Sequence, residues 1–167
     1  MKHPNDHYYL IEIQYLGFRL HGWQTQPGVK TVQGMIEKTL NYIMPHKKLK
    51  VIGMSRTDAM VSANYSAFQL ITREAVNIAE FLNAFQSNLP ADIRVTSMKG
   101  VSDDFNIIQQ PKIKEYNYYF TFGDKYHPFC APFMAFFHQD LDIELMMQAA
   151  SIFEGRHDFS GFCEKSN

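Results

Sequence analysis

Cysteine is scarce in this 167-residue chain: Cys130 and Cys163 are the only two. Two are too few for a disulfide framework or a typical cysteine-rich zinc site, and the absence of any Cys-x-x-Cys pair excludes a thiol-based metal carrier. Free thiols in a reducing compartment are the plain reading. Charge of one sign is lacking too. Sixteen Lys and Arg stand against 17 Asp and Glu, for a formal net charge of −1. Composition therefore gives no whole-molecule attraction to nucleic acid, and any RNA contact has to come from a local basic surface. The opening residues, Met1-Lys2-His3-Pro4-Asn5-Asp6, contain no signal-peptide apolar stretch, and no apolar run approaches bilayer-spanning length. The seven histidines show no metal-ligand spacing. Low-complexity tracts and cofactor motifs are absent. The expectation is a soluble cytoplasmic protein with no membrane, metal or cofactor.

What is present is enough apolar sequence, 46% against 20% charged, to bury a core in one or two small domains. Tyr8 to Leu16 alternates, with Tyr9, Ile11, Ile13 and Tyr15 on one face and Glu12 and Gln14 on the other, which predicts a half-buried strand. A Gly- and Pro-bearing loop follows, from Gly17 to Lys30. Thr31 can cap a helix with Val32, Met35, Ile36, Leu40 and Ile43 on one stripe, ended by Pro45. Leu49–Met54 and Tyr65–Ile71 read as strands joined by a polar loop. Ala75, Ile78, Ala79, Leu82 and Phe85 recur at helical spacing, and Ile93–Val101 reads as another strand. This βαββαβ order predicts an α+β, ferredoxin-like domain over residues 1–103, an antiparallel sheet with both helices on one face. Asp103–Lys112 reads as a linker or edge segment. Lys114–Phe122 predicts a strand with Tyr116, Tyr118, Phe120 and Phe122 on one face. Asp142–Phe153 predicts a helix with Leu145, Ala149 and Ile152 inward. Residues 104–167 thus start a second, similar unit but supply no further strands, so the sequence reads as part of a longer protein.

The most informative stretch is Gly53-Met54-Ser55-Arg56-Thr57-Asp58-Ala59-Met60-Val61-Ser62-Ala63. It joins two strands and should bring Arg56 and Asp58 close together at the sheet end. An adjacent guanidinium favours the carboxylate anion, and an ionised carboxylate in a cleft can act as a nucleophile. An ordinary loop ion pair or Asx-turn would have the same spacing. Phe18, Arg19, His21, Trp23 and Gln24 interleave aromatic and basic residues in one loop, a composition that can stack and pair with nucleic acid. Packing of Trp23 onto the domain would read the same way. Lys47, Lys48 and Lys50 form the densest basic run, as a solvated turn or a phosphate contact. His157-Asp158 are adjacent and do not face each other on a helix, so they read as structural.

The Arg56-Thr57-Asp58 stretch resembles the signature of the TruA family of tRNA pseudouridine synthases, a Gly followed by Gly-Arg-Thr-Asp-x-Gly-Val-His-Ala. Gly53, Arg56, Thr57, Asp58, Val61 and Ala63 match it, whereas Ser55 and Met60 stand in place of glycines and Ser62 in place of the histidine. A glycine at 60 would serve a positive φ or a close backbone approach. Six more segments resemble the family in order: Tyr15-x-Gly17-Phe18 with Gly22-Trp23-Gln24-x-Gln26; Thr31-Val32-Gln33-Gly34; Leu82-Asn83 with Leu89-Pro90-x-Asp92-Ile93-x-Val95; Lys114-x-Tyr116-x-Tyr118; Pro128-Phe129 with Leu141-Asp142 and Ala149-Ala150; and Gly155-x-His157-Asp158-Phe159. Phe105-Asn106-Ile107-Ile108 stands where the family has Phe-x-Ala-Arg. The resemblance implies isomerisation of uridine to pseudouridine on the 3′ side of the tRNA anticodon arm, by a homodimer needing no cofactor. It implies that Asp58 is the nucleophile or otherwise promotes glycosidic cleavage. Arg56 would orient it or fill the gap left by the flipped nucleotide, and Tyr116 would hold the base. Thr57, Trp23 and Gln24 would be substrate-binding. Two other readings stay open at this point: an RNA-binding paralogue of the same fold without catalysis, and an acylphosphatase-like enzyme suggested by Val32-Gln33-Gly34. The latter lacks its arginine, Lys38 standing in that place.

Overall fold

Alternation and capping build the first unit. A computed structural model describes residues 5–111 and 113–163; Met1 to Pro4 of the polar N-terminus and Lys112 lie outside the described residues. The chain divides into two units, Met1–Tyr116 and Asn117–Asn167. In the first, β1 (His7–Tyr15) leads through loop 16–31 to α1 (Val32–Ile43), whose N-cap Thr31 accepts a hydrogen bond from Gly34 N, satisfying one of the donors a helix start leaves unpaired. Strands β2 (Leu49–Gly53) and β3 (Ala63–Thr72) follow, then α2 (Ile78–Asn88) and β4 (Ile93–Val101). Asn77 caps α2 by accepting from Ala79 N and Glu80 N, so Ala75 precedes the helix and Phe81 takes the buried position beside Phe85.

The four strands lie in the order β2-β3-β1-β4, every pairing antiparallel. This is the ferredoxin-like α+β fold expected from the element order. Tyr9, Ile11, Ile13 and Tyr15 of β1 meet Phe68 and Leu70 of β3, Val32, Ile36 and Leu40 of α1, and Phe81 and Phe85 of α2 in one core. The helices therefore share one face. On the other face, Gln69 is buried and its side-chain amide is satisfied at both ends. Its Nε2 donates to Phe105 O at 3.0 Å, and its Oε1 accepts from Ile107 N at 3.3 Å. A buried amide left unpaired would destabilise the fold, so this clamp holds Ile107 against the sheet. The Phe105–Ile108 strip, expected as a linker or edge segment, thus lies against the sheet of the first unit.

The second unit is small. Strands β5 (Tyr119–Phe122) and β6 (Met134–Phe137) pair in parallel, and β6 corrects the expectation of a lone strand. The expected strand at 114–122 forms only at 119–122. The parallel ladder with β6 covers four residues, Tyr119 to Phe122, and β5 has that length. Asp142 caps α3 (Ile143–Ala150) by accepting from Leu145 N at 2.9 Å, and Ser151–Phe153 continue as a 3₁₀ turn. Leu145 and Ile152, expected inward, are exposed.

Candidate active site

Loop 54–62 carries Arg56, Thr57 and Asp58 between β2 and β3, and its shape comes mainly from backbone hydrogen bonds. Trp23 N donates to Thr57 O at 3.0 Å, Met60 N to Leu20 O at 3.0 Å, and Met54 N to Ala67 O at 2.9 Å. Two side chains add to these. The Tyr15 hydroxyl and Thr57 Oγ1 lie 3.0 Å apart, and Gly17 N donates to Ser62 Oγ at 2.9 Å. The close fit of the two loops needs glycine at 22. Its φ is +78°, and a Cβ there would stand 2.5 Å from Thr57 O. Burial raises the Tyr15 pKa, and its hydrogen bonds with Thr57 and Ser66 pull it back down.

Trp23 is 2% exposed, and its indole fills the space above Gly53, where a Cβ would come within 2.3 Å of the ring. It tilts against Tyr15 at 6.3 Å between ring centres. Of the two readings open for this ring, packing onto the domain is the one observed: Trp23 is a core side chain lying against Gly53 where the loop begins. Neighbouring Gln24 is exposed.

Arg56 and Asp58 are both exposed. The expected ion pair between them is not formed, and no Asx-turn forms: the Asp58 carboxylate takes no hydrogen bond from the described residues, and only its backbone oxygen accepts, from Val61 N at 3.4 Å. The physical reason is solvent, because exposed charges gain little by pairing in water. Met60 has φ +66°, the left-handed backbone anticipated for a motif glycine. Ser62, at the motif's histidine position, ties the loop to Gly17. Neither its partner nor the Gln69 clamp has a signal in the sequence pattern, because both depend on contacts between distant segments.

Tyr116 is the last residue of the first unit, lies outside any strand and is 77% exposed; no hydrogen bond links it to Asp58 or Arg56. The basic surface is thinner than the sequence suggested. Arg19 donates to both carboxylate oxygens of Asp92 at 2.8 Å, a hydrogen bond and charge that raise its pKa, and Lys47 pairs with Glu74. Lys48 and Lys50 are exposed. His157 and Asp158 bond separately, Nε2 of the first to Glu154 O and Oδ1 of the second to Ser160 N, so they form no dyad. Hydrogen bonding to Ser160 lowers the Asp158 pKa. Among the described residues no group of His, Cys, Asp or Glu is arranged to hold a metal ion, and no helix is long and apolar enough to cross a membrane.

Fold and loop together define a class, a ferredoxin-like α+β domain that displays an aspartate between its second and third strands. Sequence comparison narrows it. The chain is 37% identical over 156 residues to the tRNA pseudouridine synthase A of Thermosipho africanus, covering 92% of this chain and 63% of the relative. It is 34% identical over 151 residues to the enzyme of that name in Aquifex aeolicus, covering 90% and 62%, and 29% identical over 161 residues to tRNA pseudouridine synthase A 1 of Protochlamydia amoebophila, covering 96% and 63%. No family model matches. The chain is thus similar over nearly its whole length to proteins named tRNA pseudouridine synthase A, and it spans roughly three fifths of the length of the relatives it matches.

Proposed function

We propose that this chain acts as a tRNA pseudouridine synthase, isomerising uridine to pseudouridine on the 3′ side of the anticodon arm. The observation that carries the reading is an exposed Asp58 whose carboxylate takes no partner among the described residues, in a loop that resembles the family signature. The reaction breaks the bond between N1 of the base and C1′ of ribose, turns the base, and joins C5 to C1′. A proton leaves C5 and one is restored at N1, with no net oxidation or reduction. The target base must leave the helical stack before any of this can occur.

In this reading Asp58 promotes glycosidic cleavage. Arg56, free of any ion pair among the described residues, meets backbone phosphate or fills the gap left by the flipped nucleotide. Thr57, through Tyr15, and Trp23, against Gly53, set the loop, while Gln24 offers an exposed amide to the RNA. Tyr116 lies against the base, where a phenol can stack and hydrogen-bond. Residues 1–103 supply the aspartate loop, and residues from 104 onward supply Tyr116. Pairing of two copies as a homodimer would supply a joint basic cleft that one near-neutral chain lacks, and the cytoplasm is where the substrate is met.

The test is Asp58→Asn, which keeps shape but removes the charge. The pseudouridine content of a transcribed tRNA should stay at background, with melting temperature and RNA affinity unchanged. Activity equal to the unaltered chain would overturn the assignment of Asp58.

A further inference from the structure

Met60 has a left-handed backbone conformation that its side chain does not favour. Two non-glycine residues in the described chain have positive φ, His46 at 65° and Met60 at 66°. Histidine visits this region several-fold more often than most residues, and His46 stands in an exposed turn; methionine has no such preference. Strain of this kind persists where the surroundings impose it, and it concentrates at functional positions. Here the imposing contact is Met60 N donating to Leu20 O at 3.0 Å. The side chain lies outside the hydrophobic core and is 56% exposed. Beside it Val61 is exposed, and Phe18 is exposed on the turn whose Gly17 N donates to Ser62. Met60 and Val61 thus surface within three residues of Asp58, and Phe18 surfaces next to Gly17, which lies against the Met60–Ser62 backbone; Arg56 nearby in the loop forms no ion pair among the described residues.

We infer that Met60, flanked by Phe18 and Val61, is a contact platform for an unstacked nucleobase of the RNA, which deepens the tRNA reading above and rests on it. Methionine suits this role because its thioether is polarisable and packs favourably on aromatic rings. Arg56 complements the occupant's charge, supplying a guanidinium for the phosphate that any such base carries with it. The footprint also fits. Three side chains match one base, whereas a stable protein–protein interface needs roughly 800 Å² from each partner.

The experiment uses the complete chain and a hairpin RNA of anticodon-arm size with 2-aminopurine in its loop, whose fluorescence reports stacking. Met60→Gly should raise the melting temperature by relieving the backbone, yet weaken hairpin binding by at least about fivefold, the lower end of the loss of one stacked base. Met60→Leu, which keeps the apolar bulk, should bind within about twofold of the unaltered chain by the same measure. A stabilised Met60→Gly variant with unchanged affinity would overturn the platform while leaving the tRNA reading intact. Failure of the unaltered chain to bind the hairpin at low salt would sink the tRNA reading itself, and the platform with it. If Met60→Gly instead changes self-association in sedimentation, the patch meets protein and the proposal falls.

Discussion

Phe85 in the first unit and Phe162 in the second are the same side chain in opposite surroundings. Phe85 is fully buried among Phe68, Phe81 and the sheet, whereas Phe162 is 76% exposed. The contrast extends along the chain. Every fully buried apolar residue among those described lies between Tyr8 and Ile107, while α3 buries none. Yet α3 has the same sequence credentials as α1 and α2: a capping side chain and apolar residues at helical spacing. Periodicity thus reports which face of an element calls for cover; cover itself comes from tertiary packing.

The contrast can be broken most directly by truncating phenylalanines. Phe85→Ala should destabilise the first unit by about 3–5 kcal/mol, and Phe162→Ala by less than about 0.5 kcal/mol. Denaturant titration followed by the fluorescence of Trp23, the single tryptophan, reads the first unit alone. Equal losses would erase the distinction. Adding a methyl sharpens it from the other side. Gly53→Ala drives a Cβ into the Trp23 indole and should lose about 1–3 kcal/mol by overpacking, with a shift in the indole emission. Gly161→Ala meets nothing within 4 Å and should change stability by less than about 0.5 kcal/mol.

A smaller effect compares the caps. Thr31→Ala removes the bond to Gly34 N and should lower the tryptophan-reported transition by about 1 kcal/mol. Asp142→Ala deletes an equivalent cap in the second unit and should leave that transition in place, changing helix content by circular dichroism instead. The smallest effect is alkaline. Burial raises the Tyr15 pKa above its ordinary value of 10.0, so the folded state favours the protonated phenol. Its contribution is complete below that value and is lost as pH rises through the higher folded value. Tyr15→Phe should flatten the fall in stability above pH 10, at a loss of about 1 kcal/mol near neutrality for the missing bond to Thr57.

Much of this architecture is legible in one dimension. β4 runs from Ile93 to Val101 as read, β1 is displaced by one residue, and Thr31 caps α1. These elements have strong periodicity and local end signals. β6 was not legible, because Met134–Phe137 is too short to establish a period and is defined by its partner β5. At the site, the motif marked the loop and the left-handed position at 60. It did not reveal that Trp23 is buried or that Arg56 and Asp58 stand apart. Burial of an aromatic and the pairing of two exposed charges are settled by neighbours and water, which spacing does not encode.

The way loop 54–62 is held has a consequence for engineering. Its backbone is anchored through main-chain atoms of Leu20, Trp23 and Ala67, and through the side chains of Thr57 and Ser62. Positions 58, 59 and 60 contribute no side-chain hydrogen bond to that anchoring. They form a short display segment in which a combinatorial library could randomise 58 and 59 freely, and 60 among residues that accept its left-handed backbone, while the surrounding sheet keeps its shape. Selection for RNA capture from such a library would read sequence preference at the loop separately from the demands of folding.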